Sequence, residues 1–388
     1  MLNRKKLSHI AVICVLIAIS FILIAQNKDK KPSPSKVNQQ RVDAAIKRGA
    51  AFLLSNNWAT FQLLDYNNVS HTMRSDELIF YTVLHAGLKQ EDIDKIAENI
   101  LKKPLDRVYH VALRAMALEA LDRVKYQEEI RNCAQFLIDN QCANGQWSYG
   151  TPTDLDKAKI TPSGKKGTVT GEEEKEKTPS KDSKYAETVK KIQIRKRRNG
   201  PRVGDNSNSQ YAALGLRACM QAGIDVPIEV LTKGAKWWRD SQLKDGGWNY
   251  SGAGTIAGNP PSYGSMTAGG VGCLCIYDFY LKQNTKSDQN IQKGLKWLED
   301  NFTVKENSKA SDNGMYHYYF LYAMERAGIL ADTEFFGKSE WYSTGAEYLL
   351  TEQRENGCWK ESPIDTCFAI LFLRRATKPL KATITGDK

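Results

Sequence analysis

Histidine, tyrosine, amide and carboxylate residues recur at one kind of place in this 388-residue chain, at or just ahead of strongly apolar helical windows. The stretches are His71-Thr-Met-Arg74-Ser-Asp76-Glu77, Asp106-Arg107-Val-Tyr109-His110, Asp205-Asn-Ser-Asn208-Ser-Gln210-Tyr211, Tyr263-Gly-Ser265-Met-Thr267, Asp312-Asn313-Gly-Met-Tyr316-His317-Tyr318 and Asp365-Thr366. If the windows that follow are inner helices of one ring, their N-termini bring free N–H groups and the positive ends of six dipoles to a shared rim. His71, Asp76, Tyr109, His110, Asn208, Gln210, Tyr211, Tyr263, Thr267, Tyr316, His317 and Asp365 would line that rim. Ser, Asn and Asp at such positions also serve as N-caps, and Asp365 reads most simply as the cap of the last helix. The histidines and tyrosines are less expected of caps. His317, Asp76, Tyr211 and Cys273 are the first residues to test for catalysis. Asp76 or Glu77, set across a cavity from Asp312 or Asp365, could supply the carboxylate pair of a glycan-cleaving enzyme. Ser251-Gly252-Ala-Gly254-Thr-Ile-Ala-Gly258 has the glycines of a dinucleotide loop, but no strand precedes it.

The elements that position these residues are announced by a repeat. Gln141-Cys-Ala-Asn-Gly145-Gln-Trp147, Gln242-Leu-Lys-Asp-Gly246-Gly-Trp248 and Gln353-Arg-Glu-Asn-Gly357-Cys-Trp359 keep Gln, Gly and Trp in one register. Phe136-Leu137, Trp237-Trp238 and Tyr348-Leu349 precede the Gln at fixed offsets, and two degraded copies follow Gly49 and Gly294. Each unit reads as a helix whose apolar pair is buried and whose Gln bonds backbone groups at the helix end. The Gly adopts the left-handed conformation that stops the helix, and the Trp folds back to bury its ring. A fixed element at long spacing means a stacked or closed helical array.

Apolar periodicity gives twelve helical windows, near 38–55, 74–87, 91–103, 107–121, 125–141, 207–222, 227–243, 264–282, 287–302, 312–327, 340–354 and 364–376. No window reads as a strand. The repeat helices are all odd-numbered. The even ones are apolar all round, as in Tyr211-Ala-Ala-Leu-Gly-Leu and Cys367-Phe-Ala-Ile-Leu-Phe-Leu, and a helix apolar all round is buried. Six helical hairpins, with buried inner helices ringed by outer ones, make an all-α (α/α)6 toroid over residues 37–388.

Charge divides the chain further. The net +11 resolves into +6 for residues 1–36, +7 for 151–204 and −2 for the rest. A near-neutral body argues against nucleic acid as a partner, since that would need a basic stripe on the ordered surface. Residues 1–36 read as a signal-anchor and linker. A short basic head precedes the apolar run Ile10–Ala25, which is marginal for one transmembrane helix. The protein is thus expected to be single-pass in a membrane, with its body outside the cytoplasm. Residues 151–204, rich in Lys, Glu, Thr, Ser and Pro, read as a disordered basic insert, with Lys190–Arg198 as a solvated basic run. Cys-x-x-Cys is absent, so neither a zinc ribbon nor a thioredoxin reading is supported. Cys219, Cys273 and Cys367 read as small core hydrophobes.

The Gln-x3-Gly-x-Trp repeats and the six-hairpin pattern resemble the squalene-hopene cyclase and prenyltransferase superfamily, the prenyltransferase and squalene oxidase repeat proteins, over residues 38–376 apart from the insert. The resemblance implies a terpenoid-cyclase-like toroid with an apolar, isoprenoid-binding chamber. Cyclases of that family protonate an alkene with an acidic Asp-x-Asp-Asp-Thr motif. The matching stretch here is Asn206-Ser207-Asn208-Ser209-Gln210, and the amide of Asn208 cannot serve as that acid. The magnesium-binding Asp-Asp-x-x-Asp pattern is also missing. Protein prenyltransferases of this fold hold zinc through Asp-x-Cys and a His. Cys273 and His317 fall on suitable helices, but Val271 stands where the Asp would be; no cofactor is expected, with zinc the alternative if Cys275 compensates. Three functions follow: a membrane-anchored toroid binding an apolar or peptide ligand without cyclase chemistry, an active prenyltransferase-type enzyme with a divergent site, or a non-catalytic scaffold whose cavity is filled by side chains.

Overall fold

The computed structural model describes residues 37–55, 61–64, 70–73, 76–153, 155, 189–252, 260–311 and 314–380. Twelve α-helices lie among them: α1 (Gln39–Ser55), α2 (Asp76–Ala86), α3 (Gln90–Leu101), α4 (Val108–Asp122), α5 (Gln127–Asp139), α6 (Asn206–Gln221), α7 (Ile228–Asp240), α8 (Gly264–Tyr280), α9 (Gln289–Asp300), α10 (His317–Leu330), α11 (Trp341–Glu352) and α12 (Pro363–Arg374). The even helices form a closed ring. Each packs on the next, α2 on α4 through to α10 on α12, and α12 packs back on α2. The odd helices lie outside this ring, with α1 against both α12 and α2. α6, α8 and α10 are buried along nearly their whole length, as all-round apolar helices must be.

The repeat is the staple that joins successive outer helices. Gln141 Nε2 donates to the Gly145 carbonyl in its own turn and to the Val230 carbonyl of α7. Gln242 likewise bonds Gly246 and Asn290 of α9. Gln353 bonds Gly357 and, 308 residues back, Ala45 of α1, which closes the ring. The Gln side chain thus reaches the neighbouring outer helix as well as its own turn. Each Trp is fully buried and donates Nε1–H to a carbonyl of the preceding outer helix: Trp147 to Leu137, Trp248 to Trp238, Trp359 to Leu349. The glycine is required twice over. Gly246 has φ +89°, and a Cβ there would stand 2.8 Å from the Lys293 carbonyl of the next outer helix.

Several expectations are corrected. Short strands occur: a hairpin of β1 (Phe61–Leu64) with β2 (Ser70–Met73), a parallel pair of β3 (Ile192–Gln193) with β4 (Ile224–Asp225), and a hairpin of β5 (Phe335–Phe336) with β6 (Ser339–Glu340). At two to four residues they are too short for an alternating pattern to register. The Lys190–Arg198 run is not a solvated linker. Arg197 bonds buried Asp139 at 2.8 Å, Lys196 bonds Gln141, and β3 pairs beside the end of α6. These basic groups complete the polar end of α5, which has its own buried carboxylate to satisfy. Residues 156–188 and the Ile10–Ala25 run lie outside the described residues, as do Asp312 and Asn313. Among the described residues no helix is long and apolar enough to cross a membrane.

Candidate functional site at the ring axis

Side chains from the first turns of opposite inner helices meet across the ring. Tyr109 of α4 and Tyr319 of α10 come from opposite helices of the ring, yet their hydroxyls lie 3.4 Å apart. Tyr211 of α6 packs on Tyr109 at 4.3 Å and on Tyr319 at 6.2 Å between ring centroids, and Phe368 of α12 packs on Tyr319 at 5.6 Å. Rings from α4, α6, α10 and α12 thus form an aromatic layer across the axis.

Directly beneath it lies Arg326 of α10, which is buried. Its Nη2 donates to Gln210 Oε1 of α6 at 2.9 Å, and its guanidinium sits 4.3 Å from the Tyr322 ring centroid and 5.4 Å from that of Tyr211. Nη1 of Arg326 and Nε2 of Gln210 have no hydrogen-bond partner among the described residues. The Tyr211 hydroxyl lies beside the same guanidinium without completing an aligned hydrogen bond. No carboxylate pairs with Arg326 among the described residues. Glu325 is the nearest acid in sequence, but it accepts from Thr377 and is pushed up to about 7 by burial. Arg326 therefore places a cation with no direct ion pair among the described residues at the ring centre, against the faces of two tyrosines. Its only sequence signal was a lone arginine inside an otherwise apolar helix.

The sequence-derived candidates separate into several settings. Asn208 is locked by Asp205, which accepts both its backbone N–H and its Nδ2–H at 2.8 Å. Asp76 opens α2 and pairs with Lys103. Its neighbour Glu77 is fully buried against Arg114 at 2.9 Å. His110 Nδ1 lies 3.2 Å from Asp106, two residues ahead of its helix. His317 is buried with Nε2 2.9 Å from the Val304 carbonyl and its ring packed near Tyr318 and Tyr348. Thr267 Oγ1 accepts from the Trp248 backbone N–H, and Tyr263 donates its N–H to the Trp248 carbonyl, so both hold the repeat.

His71 lies on β2 opposite Leu63, not at an inner-helix start. Asp365 is not the cap of α12. Ser362 is, accepting from the Asp365 N–H at 3.1 Å, while burial raises the Asp365 carboxyl to about 6. Cys273 is buried on α8, and burial holds its thiol well above its ordinary range despite nearby Arg326. Among the described residues no group of three or more His, Cys, Asp or Glu is placed to hold a metal ion, so Cys273 and His317 do not form a zinc site there.

Near the inner-helix starts, three tyrosines are exposed among the described residues. Tyr149, Tyr250 and Tyr316 are 55%, 40% and 46% exposed. Arg107 stands 5.7 Å from the Tyr149 ring centroid, and Tyr250 lies near Tyr149, Tyr109, Asp205 and Ser207. Tyr149 and Tyr250 were missed at the sequence level because they follow the repeat tryptophans instead of opening an inner helix.

No protein-family model matches the chain, and no curated protein matches it in sequence. Solved structures match in fold. The type II terpene cyclase MstE from Scytonema, without ligand, superposes with a TM-score of 0.50 at 11% identity, covering 87% of this chain and 98% of that one. A possible member of the GH105 family from Salmonella enterica superposes with a TM-score of 0.54 at 10% identity, covering 89% and 96%. The chain has a terpenoid-cyclase-like helical toroid fold, and at this identity the likeness is one of fold alone.

Proposed function

We propose that this toroid is a non-catalytic binding protein that takes an extended peptide on the tyrosine rim at the N-terminal ends of its inner helices. The observation that carries this reading is the Tyr109–Tyr319 contact across the axis. An isoprenoid chamber needs an open axis, and here opposite helices touch through their side chains. Two further features argue against cyclisation. The position of the family's acid holds Asn208, an amide bound to Asp205. Beneath the tyrosines, Arg326 supplies a positive charge in a low-dielectric interior, which would oppose a carbocation formed beside it. A rim of half-exposed tyrosines suits a peptide instead, because each ring offers apolar area and a hydroxyl at low entropic cost.

Display of a random peptide library against the body starting at Val37 tests the reading. Peptides should bind with micromolar affinity. Tyr250→Ala should weaken them at least about tenfold, roughly 1.4 kcal/mol, with the melting temperature unchanged. Binding that survives Tyr250→Ala and Tyr149→Ala would place the ligand elsewhere, and retention of a prenyl alcohol in place of peptides would restore the apolar-ligand reading. The apolar run Ile10–Ala25 would tether this toroid to a membrane with its body outside the cytoplasm. Full-length protein should then sediment with membranes and yield the body to external protease. Recovery in the soluble fraction would reject the anchor.

A further inference from the structure

The other end of the ring holds a second polar site, and the chain's own tail lies in it. α12 ends at Arg375 in the left-handed conformation, φ 49°, and the chain turns over the C-terminal ends of the inner helices. It is held there by bonds to its backbone. The Thr377 N–H donates to Glu325 Oε1 at 3.0 Å and the Thr377 hydroxyl to Oε2 at 2.6 Å. Arg217 of α6 donates to the Lys378 carbonyl and, at 3.4 Å, to that of Pro379. Lys378 Nζ reaches Glu119 of α4 at 3.2 Å. The recognising groups are a carboxylate and a guanidinium from two inner helices. Glu325 is fully buried, and Arg217 is 6% exposed with its Nε unpartnered. A residual cavity of about 30 Å³ beside the tail is lined in part by His85, Met116 and Glu119.

A carboxylate that takes an N–H and a side-chain hydroxyl, beside a guanidinium that takes the following carbonyls, is a reader of extended backbone carrying Ser or Thr. Two buried ionisable groups are a costly way to anchor a segment that α12 already holds. We propose that this C-terminal mouth is a binding site for an extended Ser/Thr-containing peptide segment, and that residues 376–379 occupy it as a releasable intramolecular ligand. This site lies at the opposite end of the ring from the tyrosine rim and stands independently of the rim's ligand.

The test removes the tail and returns it in trans. A chain ending at Arg375 is titrated at pH 8 with the synthetic peptide Arg-Ala-Thr-Lys-Pro-Leu, the sequence of residues 375–380. The peptide should bind the shortened chain and not the full-length one. Replacing its Thr by Val, or Glu325→Gln in the protein, should weaken binding by about tenfold, the worth of one charge-assisted bond. Failure to bind the shortened chain, or equal binding to the full-length chain, would overturn the proposal. If the shortened chain does not fold, amide hydrogen exchange on the full-length protein decides. The Thr377 N–H should exchange through local release, at least about a hundredfold faster than amides in the centre of α10. Exchange as slow as those amides would show that the tail leaves only on global unfolding, and the proposal would fail.

Discussion

Buried polar groups at the ends of the inner helices are partnered in a way that decides what they can do. Glu77 and Arg114 are both buried, so their pair is costly to break from one side. Arg114→Met should lower stability by about 3–5 kcal/mol, because it leaves a buried carboxylate uncompensated. Urea unfolding would show this, and a loss below ~1 kcal/mol would mean that the site is wet. Asn208→Asp sets a second carboxylate against Asp205, which now accepts the Asn208 amide at 2.8 Å. It should cost about 1–3 kcal/mol through like-charge repulsion and a lost bond, and it should confer no cyclisation. The Asn208 substitution was legible in the sequence because a motif assigned the position a task. The Glu77–Arg114 pair was not, since 37 residues separate the two and nothing local links them. Tyr109 and Tyr211 were singled out in the sequence, but it could not say that Tyr109 and Tyr319 meet across the axis.

At the scale of elements, the repeat was the most legible feature, and its physics explains why. Gln, Gly and Trp at fixed offsets each satisfy a local requirement: a carbonyl to bond, a left-handed residue, a ring to bury. All twelve periodic windows hold helices because their buried stripes are long. The two-residue strands and the 189–204 segment escaped because their order comes from tertiary bonds, such as Arg197 with Asp139, which overrode a polar composition. Trp248→Ala removes a fully buried ring and its Nε1–H bond to Trp238, and should cost about 3–5 kcal/mol. Gln353→Ala removes the staple from α11 to α1, at about 1–3 kcal/mol. Its hydrogen-exchange signature should be confined to the α11–α1 seam. Protection lost evenly around the ring would contradict a local staple.

The toroid as a whole is a closed ring, plugged by tyrosines at one end and by its own tail at the other. Two titrations report on the tail end with opposite signs. Glu325, raised by burial from 4.5 to about 7, contributes stability that is full below pH 4.5 and lost as pH rises through 7. His85, lowered by burial from 6.5 to about 4, contributes stability that is present above pH 6.5 and lost as pH falls through 4. Asp365, raised by burial to about 6, adds a second loss of stability as pH rises. The wild-type melting temperature should therefore fall between pH 4.5 and 6, Glu325→Gln should flatten it, and an unchanged curve would show that Glu325 is solvated.

The central claim, that the axis is filled and the rim does the binding, is tested most directly by native mass spectrometry. The body starting at Val37 is incubated with geranylgeraniol, and the extract is analysed for cyclised products. The account predicts the mass of the bare protein and no cyclic product, with the Tyr109–Tyr319 contact leaving no room for the chain. One prenyl chain retained per protein, or any cyclised hydrocarbon, would contradict it and reopen the ring as a terpenoid chamber.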